Sequence, residues 1–165
     1  MQRIALVVFA LAVGGASLVI VATSGALPAR VASHFGAGGR PNDWMTREAY
    51  LAVMLGFAVA LPVLLVASMT LLPRLAPRLV NLPNRDYWLA PARRAASIDS
   101  LGVFGCGLGV LTALLLAGVH LLVVAAHREG APRLDERAFL TLIGIFLAAM
   151  GLLLVMLLRR FRKVA

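Results

Sequence analysis

Three imidazoles are the side chains of this sequence best equipped for chemistry: His34, His120 and His127. Imidazole changes charge near neutral pH and ligates metals through either ring nitrogen. His120 and His127 are seven residues apart, which on a helix sets them on nearly one face and about 10 Å apart along the axis. A helical pair sharing one zinc needs i,i+4 or similar spacing, because each Zn–N bond is only about 2 Å, so these two do not chelate an ion by themselves. A site joining His34 to one of them stays open, beside the plainer reading in which each bonds loop backbone or lipid headgroups. His120 lies inside an apolar run, where an ionisable group is costly and often functional; a neutral ring bonded to a helix neighbour or to the first loop is the structural alternative. No metal and no cofactor is expected.

His34 belongs to the stretch SHFGAGGRPNDW, Ser33 to Trp44, between two long apolar runs. Gly36, Gly38 and Gly39 permit positive φ and Pro41-Asn42-Asp43 is turn chemistry, so the chain, extended through Phe35, reverses tightly here. Pro28 ends the preceding helix. Thr46 is an N-cap for the next, with Glu48 in its first turn, and Met45 and Tyr50 hold the two positions of a hydrophobic staple. Trp44 and Tyr50 suit an interfacial aromatic belt. Those jobs leave His34 and Arg40 without a sufficient structural reason. With Trp44 and His120 they form the candidate ligand-binding set.

Other motifs point away from catalysis. The sequence holds no HExxH, P-loop or Gly-x-Ser-x-Gly pattern. Gly105-Cys106-Gly107-Leu108-Gly109 is glycine-rich, but no strand precedes it and no Lys-Ser/Thr follows. Gly105 and Gly109 read instead as a small-xxx-small pair for close helix approach, repeated by Gly144, Ala148 and Gly151. These faces suit a protein partner or a second copy of the chain. Carboxylates are absent from the depths of the apolar runs, which disfavours coupled ion transport or a proton relay. Asp99 is placed to pair with Arg93, Arg94 or a tail arginine, and Glu129, Asp135 and Glu136 read as a charge cluster neutralised by Arg128, Arg133 and Arg137. Lone Cys106 is a small packing residue. The expectation is a binding protein, not an enzyme.

The elements that position these residues follow from composition. Of 165 residues 61% are hydrophobic and 14% charged, too apolar for one water-soluble core. Four runs, Ile4 to Thr23, Ala49 to Leu72, Leu101 to Ala126 and Ala138 to Leu158, are each long enough to cross about 30 Å of hydrocarbon. The first exceeds a signal-peptide core and is read as a retained helix. The fold expected is therefore an all-α membrane protein: four transmembrane helices in a small antiparallel bundle, one domain over 1–165 whose second helical hairpin covers 98–160. The second loop, Pro73 to Ser97, has prolines at 73, 77, 83 and 91, so it is not one regular helix. It reads as an interfacial segment with Tyr87 and Trp88 at headgroup depth and its arginines facing anionic lipid.

The net charge of +9 does not imply nucleic acid, because the arginines flank the apolar runs. Ten Lys and Arg fall in the N-terminus, second loop and tail against six in the first and third loops. The positive-inside rule then places both termini in the cytoplasm of a multi-pass cell-membrane protein, with the His34 loop outside and the bilayer as its first partner.

Two stretches carry a family resemblance. Leu27-Pro28-Ala29-Arg30-Val31-Ala32-Ser33-His34-Phe35-Gly36 with Gly39-Arg40-Pro41-Asn42-Asp43-Trp44 resembles the first loop of a bacterial membrane domain known as domain of unknown function 1648. Asn81 to Pro91 with Arg93 and Arg94 is similar to a second stretch of that family, and the likeness covers about residues 5 to 95. The same domain begins immunity proteins that protect against a secreted sporulation-delaying toxin and hold a transcriptional repressor at the membrane. The resemblance implies a ligand-sensing outer loop. It also implies a partner-docking inner loop, made of Asn84, Arg85, Asp86, Trp88, Arg93 and Arg94. After the second loop this chain departs from those proteins, with two further spans and no Gly-x-Arg-Thr-type motif.

Overall fold

The computed structural model describes residues 2–128 and 130–162; Glu129 and Lys163, both counted above, lie outside them. Four long helices dominate: α1 (Gln2–Thr23), α2 (Arg47–Leu75), α4 (Pro91–Ala126) and α5 (Glu136–Arg162), with a one-turn helix α3 (Arg85–Trp88) between α2 and α4. All four are long and apolar enough to span a membrane. The protein is an all-α, multi-pass membrane protein, as the composition requires.

The first loop is more regular than expected. It folds as an antiparallel hairpin of β1 (Arg30–Phe35) and β2 (Pro41–Thr46). Ala32 pairs with Trp44 and His34 with Asp43, so Ser33 bulges. Gly38 and Gly39 turn the chain at positive φ, 75° and 67°, as residues without Cβ do at little cost. Strand pairing continues past the hairpin through Arg47 N–H to the Ala29 carbonyl, 3.0 Å, so the two strands carry α1 directly into α2. Strict alternation is missing from these six-residue strands, whose buried residues Val31 and Ala32 are adjacent. The period-two signal that would announce them is therefore weak.

The start of α2 follows the capping rules: Thr46 Oγ1 accepts from Ala49 N–H, 3.2 Å, and Met45 packs on the cluster containing Tyr50. Helix α2 runs unbroken past Pro62 and Pro73. Helix α4 begins ten residues before the expected Leu101. Pro91 sits in its first turn, where a missing N–H costs nothing, so the loop called Pro73 to Ser97 shrinks and Arg93, Arg94 and Asp99 become helical. At 36 residues this helix is about 54 Å long and outruns the hydrocarbon.

Helix α4 is the hub, packing on α1, α2 and α5, and α1 also touches α2. Three buried layers stack along it. At the hairpin end, Ile20, Val31, Tyr50, Met54 and Val123 cluster; Ala16, Ala113 and Ala117 follow; Leu82, Leu101 and Phe161 close the other end. Small residues fill the middle because helices meet there. A Cβ on Gly109 would meet the Phe9 ring of α1, and one on Gly105 the Met69 and Val66 atoms of α2. The α4 glycine face is thus occupied by the chain's own helices, whereas nothing approaches Gly144 or Gly151 of α5. The first residues of α1 lie beside Gly102 of α4 and Phe161 packs with Leu101. Both described termini therefore sit at one end, together with α3, opposite the hairpin.

Candidate functional site

A cavity of about 460 Å³ opens at the hairpin end, between the hairpin, α4 and the start of α5. Phe35, Val119, Val123 and Phe139 give it apolar walls, and His34 and Glu136 bring polar groups to it. Its size lies in the ordinary range for a small-molecule site.

The α5 end of the cavity is tied to the hairpin turn. Gly38 N–H donates to Glu136 Oε1, and the Gly38 carbonyl accepts from Arg133 Nε at 3.0 Å. Leu134 N–H donates to the Gly39 carbonyl, 2.9 Å. Asp135 Oδ1 accepts from Arg137 N–H and Ala138 N–H, 2.9 and 3.0 Å, which caps α5. Of the residues read as a solvated charge cluster, Asp135 caps α5 while Glu136 and Arg133 clamp Gly38; Glu129 lies outside the described residues.

The three histidines do not meet. His34 is exposed, 3.3 Å from Ser33 Oγ and 3.6 Å from Asp43 Oδ2. His120 is fully buried among three helices, with Nε2 2.8 Å from Thr23 Oγ1 and Nδ1 3.1 Å from the Tyr50 hydroxyl, and it stacks on the Tyr50 ring. Proton inventory fixes the directions. The Thr23 hydroxyl donates its one proton to the Val19 carbonyl, 2.7 Å, so toward His120 it accepts from Nε2–H. A neutral ring then has Nδ1 as acceptor, and Tyr50 donates to it. The chain of bonds runs Tyr50 to His120 to Thr23 to Val19, fully satisfied.

His127 is the histidine that holds the hairpin. Its Nδ1 donates to the Val123 carbonyl, 2.8 Å, and Nε2 accepts from Ala32 N–H, 3.0 Å. The ring meets Trp44 edge to face, centroids 6.3 Å apart. Ala32 and Trp44 are cross-strand neighbours, so one imidazole pins both strands to the end of α4. Of the candidate ligand-binding set, only His34 lines the cavity. Trp44 packs on His127, His120 is sealed below, and Arg40 is exposed, its backbone carbonyl accepting from Gly36 N–H at 2.8 Å. Sequence reasoning did not single out Phe139, read Glu136 only as part of a charge cluster, and weighed His127 as a partner for His34 and not as the clasp of the hairpin. Seven-residue spacing did signal that His120 and His127 share a face, but not that the hairpin folds onto it.

At the opposite end, the candidate docking residues are largely occupied within the chain. Trp88 Nε1 donates to the Phe161 carbonyl, 2.7 Å, and Asn84 Nδ2 to the Arg162 carbonyl, 3.0 Å. Arg94 donates to the Pro73 and Arg74 carbonyls at 3.0 and 2.8 Å. These bonds satisfy the last carbonyls of α5 and α2, which otherwise lack partners. Arg85 pairs with Asp86 at 3.0 Å and donates to the Arg78 carbonyl, while Arg93 lies over the Tyr87 ring. Among the described residues Asp99 forms no ion pair with Arg93, Arg94 or the tail.

Residues 5–66 match a family model described as "Domain of unknown function (DUF1648)", a stretch that takes in α1, the hairpin and most of α2. An uncharacterized protein of Archaeoglobus fulgidus is 30% identical over 115 residues, 58% of this chain. The chain spans 62% of the length of that relative. No solved structure matches.

Proposed function

We propose that this protein is a non-catalytic membrane binding protein whose hairpin-end cavity takes an amphipathic ligand, apolar body inward and polar group toward His34 and Glu136. The cavity itself carries the reading: a recess of about 460 Å³ with apolar depth and a few polar groups, where a loop meets the membrane surface. The histidines support binding over catalysis, since both ring nitrogens of His120 and of His127 are committed to structural bonds. The likeness of the first half to immunity proteins that also act as receptors supports sensing at the same end.

Photolabelling in nanodiscs tests the reading, with a long-chain alcohol carrying a diazirine at its tail as probe. Labels concentrated on Phe35, Val119 and Phe139, and lost when Val123→Trp fills the cavity, are the expected result. Labelling spread evenly over the lipid-facing side of α1 sinks it. A scaffold role is favoured by one observation, that the apolar window of α5 has no buried residue. A stoichiometric protein co-purifying with the wild type but not with a Gly144→Leu/Gly151→Leu variant is its test.

A further inference from the structure

The end opposite the hairpin holds two arginines in an arrangement that bundle packing does not require. Tyr87 and Trp88 meet edge to face, centroids 5.1 Å apart and planes at 89°. Arg93 Cζ lies 4.0 Å over the Tyr87 ring, and Arg160 Cζ lies 4.7 Å over Trp88 and 5.6 Å from the Phe161 ring centre. The Trp88 ring is locked, because its N–H donates to the Phe161 carbonyl and its own carbonyl accepts from Ser97 Oγ, 2.8 Å. A guanidinium held over a ring by cation–π attraction carries five N–H donors that the ring face cannot all satisfy, which leaves donors available to an acceptor. Among the described residues neither Arg93 nor Arg160 has a carboxylate within ion-pair reach. Both are exposed.

The surroundings select an anion. The N-terminus, second loop and tail hold ten of the sixteen basic residues and only two acidic ones, Asp86 and Asp99, and Asp86 is already paired with Arg85. The other two loops hold six basic and five acidic residues and are nearly neutral. Aromatic rings such as Tyr87 and Trp88 prefer headgroup depth, and the buried Leu82, Leu101 and Phe161 beneath mark the apolar side. A phosphate reaching this depth is attached to a lipid.

We propose that Arg93 and Arg160, fixed on the Tyr87–Trp88 pair, form a headgroup site for an anionic phospholipid. The lipid phosphate accepts from the guanidinium edges while its glycerol and chains lie along the aromatic pair and the apolar surface below. This site is independent of the hairpin-end cavity, and either stands without the other.

Trp88 reports on the site directly. Trp44 is the other tryptophan of the chain, so Trp44→Phe leaves Trp88 as the emitter. The full chain is reconstituted in phosphatidylcholine vesicles with an equal minor fraction of brominated phosphatidylglycerol or brominated phosphatidylcholine. Several-fold stronger quenching by the anionic lipid is expected, lost in Arg93→Gln/Arg160→Gln and kept in Arg78→Gln/Arg85→Gln, which removes the same charge away from the rings. Equal quenching by both lipids overturns the proposal, as does an excess that survives the Arg93/Arg160 change or vanishes equally in the control. Loss of the excess on adding millimolar inorganic phosphate assigns the site to free phosphate and overturns the lipid assignment. Should Trp44→Phe disturb folding, native mass spectrometry of the unmodified chain and the two double variants counts bound phosphatidylglycerol instead. A protein held through these arginines without any lipid preference likewise refutes it.

Discussion

His120 illustrates what a buried polar side chain needs in a membrane. Its ring is held by the Tyr50 hydroxyl and Thr23 Oγ1, and no buried side-chain polar atom among the described residues lacks a hydrogen bond. Removing one partner is worse than removing both, because the orphan keeps its desolvation cost. Tyr50→Phe leaves Nδ1 without a donor and is expected to destabilise by about 1 to 2 kcal/mol. Tyr50→Phe combined with His120→Leu is expected to lie closer to wild type than the sum of the singles, in equilibrium unfolding in mixed micelles. A second expectation concerns His127. His127→Ala frees the Ala32 amide, whose hydrogen exchange should accelerate at least about tenfold, a change that about 1.4 kcal/mol produces, while exchange in the middle of α4 stays unchanged. The sequence located the imidazoles and the face two of them share. Which one grips the hairpin was not legible, because that depends on how far β1 folds back over the end of α4.

At the scale of elements, the four spans, the Thr46 cap and the Met45–Tyr50 staple were legible, since each rests on a local rule. The hairpin was not, because it depends on the long-range contact of β1 with α4; the early start of α4 rests on Pro91 in its first turn, a local signal masked by the other prolines around it. The hairpin turn supplies a paired test of local against tertiary constraint. Gly38 and Gly39 both have positive φ, but only Gly39 has its missing Cβ position pressed onto the Leu134 backbone; around Gly38 it is open. Gly38→Ala therefore incurs only the left-handed backbone cost of about 1 to 2 kcal/mol. Gly39→Ala adds a clash that the Leu134 backbone relieves only by moving, breaking the Leu134 to Gly39 bond and deforming the cavity mouth. It is expected to lower the melting temperature more than Gly38→Ala does. It is also expected to weaken photolabelling at Phe139, which Gly38→Ala leaves intact. Equal effects of the two would show that the turn conformation alone matters.

For the whole molecule, the charge distribution makes orientation a quantitative question. Insertion responds to Lys and Arg close to the helix ends and hardly to acidic residues, so the contest is between ten basic positions in the N-terminus, second loop and tail of the sequence and six in the first and third loops. By the positive-inside rule the larger set is expected in the cytoplasm, an orientation that would face the cavity outward. Because Cys106 is the one cysteine, a Cys106→Ser background allows single cysteines to be read. Ala37→Cys in the hairpin turn is expected to react with an impermeant maleimide in intact cells, and Ala92→Cys at the start of α4 only after lysis. The margin is four charges. Changing Arg74, Arg78, Arg85 and Arg93 to Gln leaves six basic residues at each end, and the labelling should then become mixed, with both cysteines partly reactive in intact cells. Orientation that stays uniform after all four changes would mean that the hairpin, with its bonded turn and His127 clasp, selects the direction of insertion and that the arginines do not.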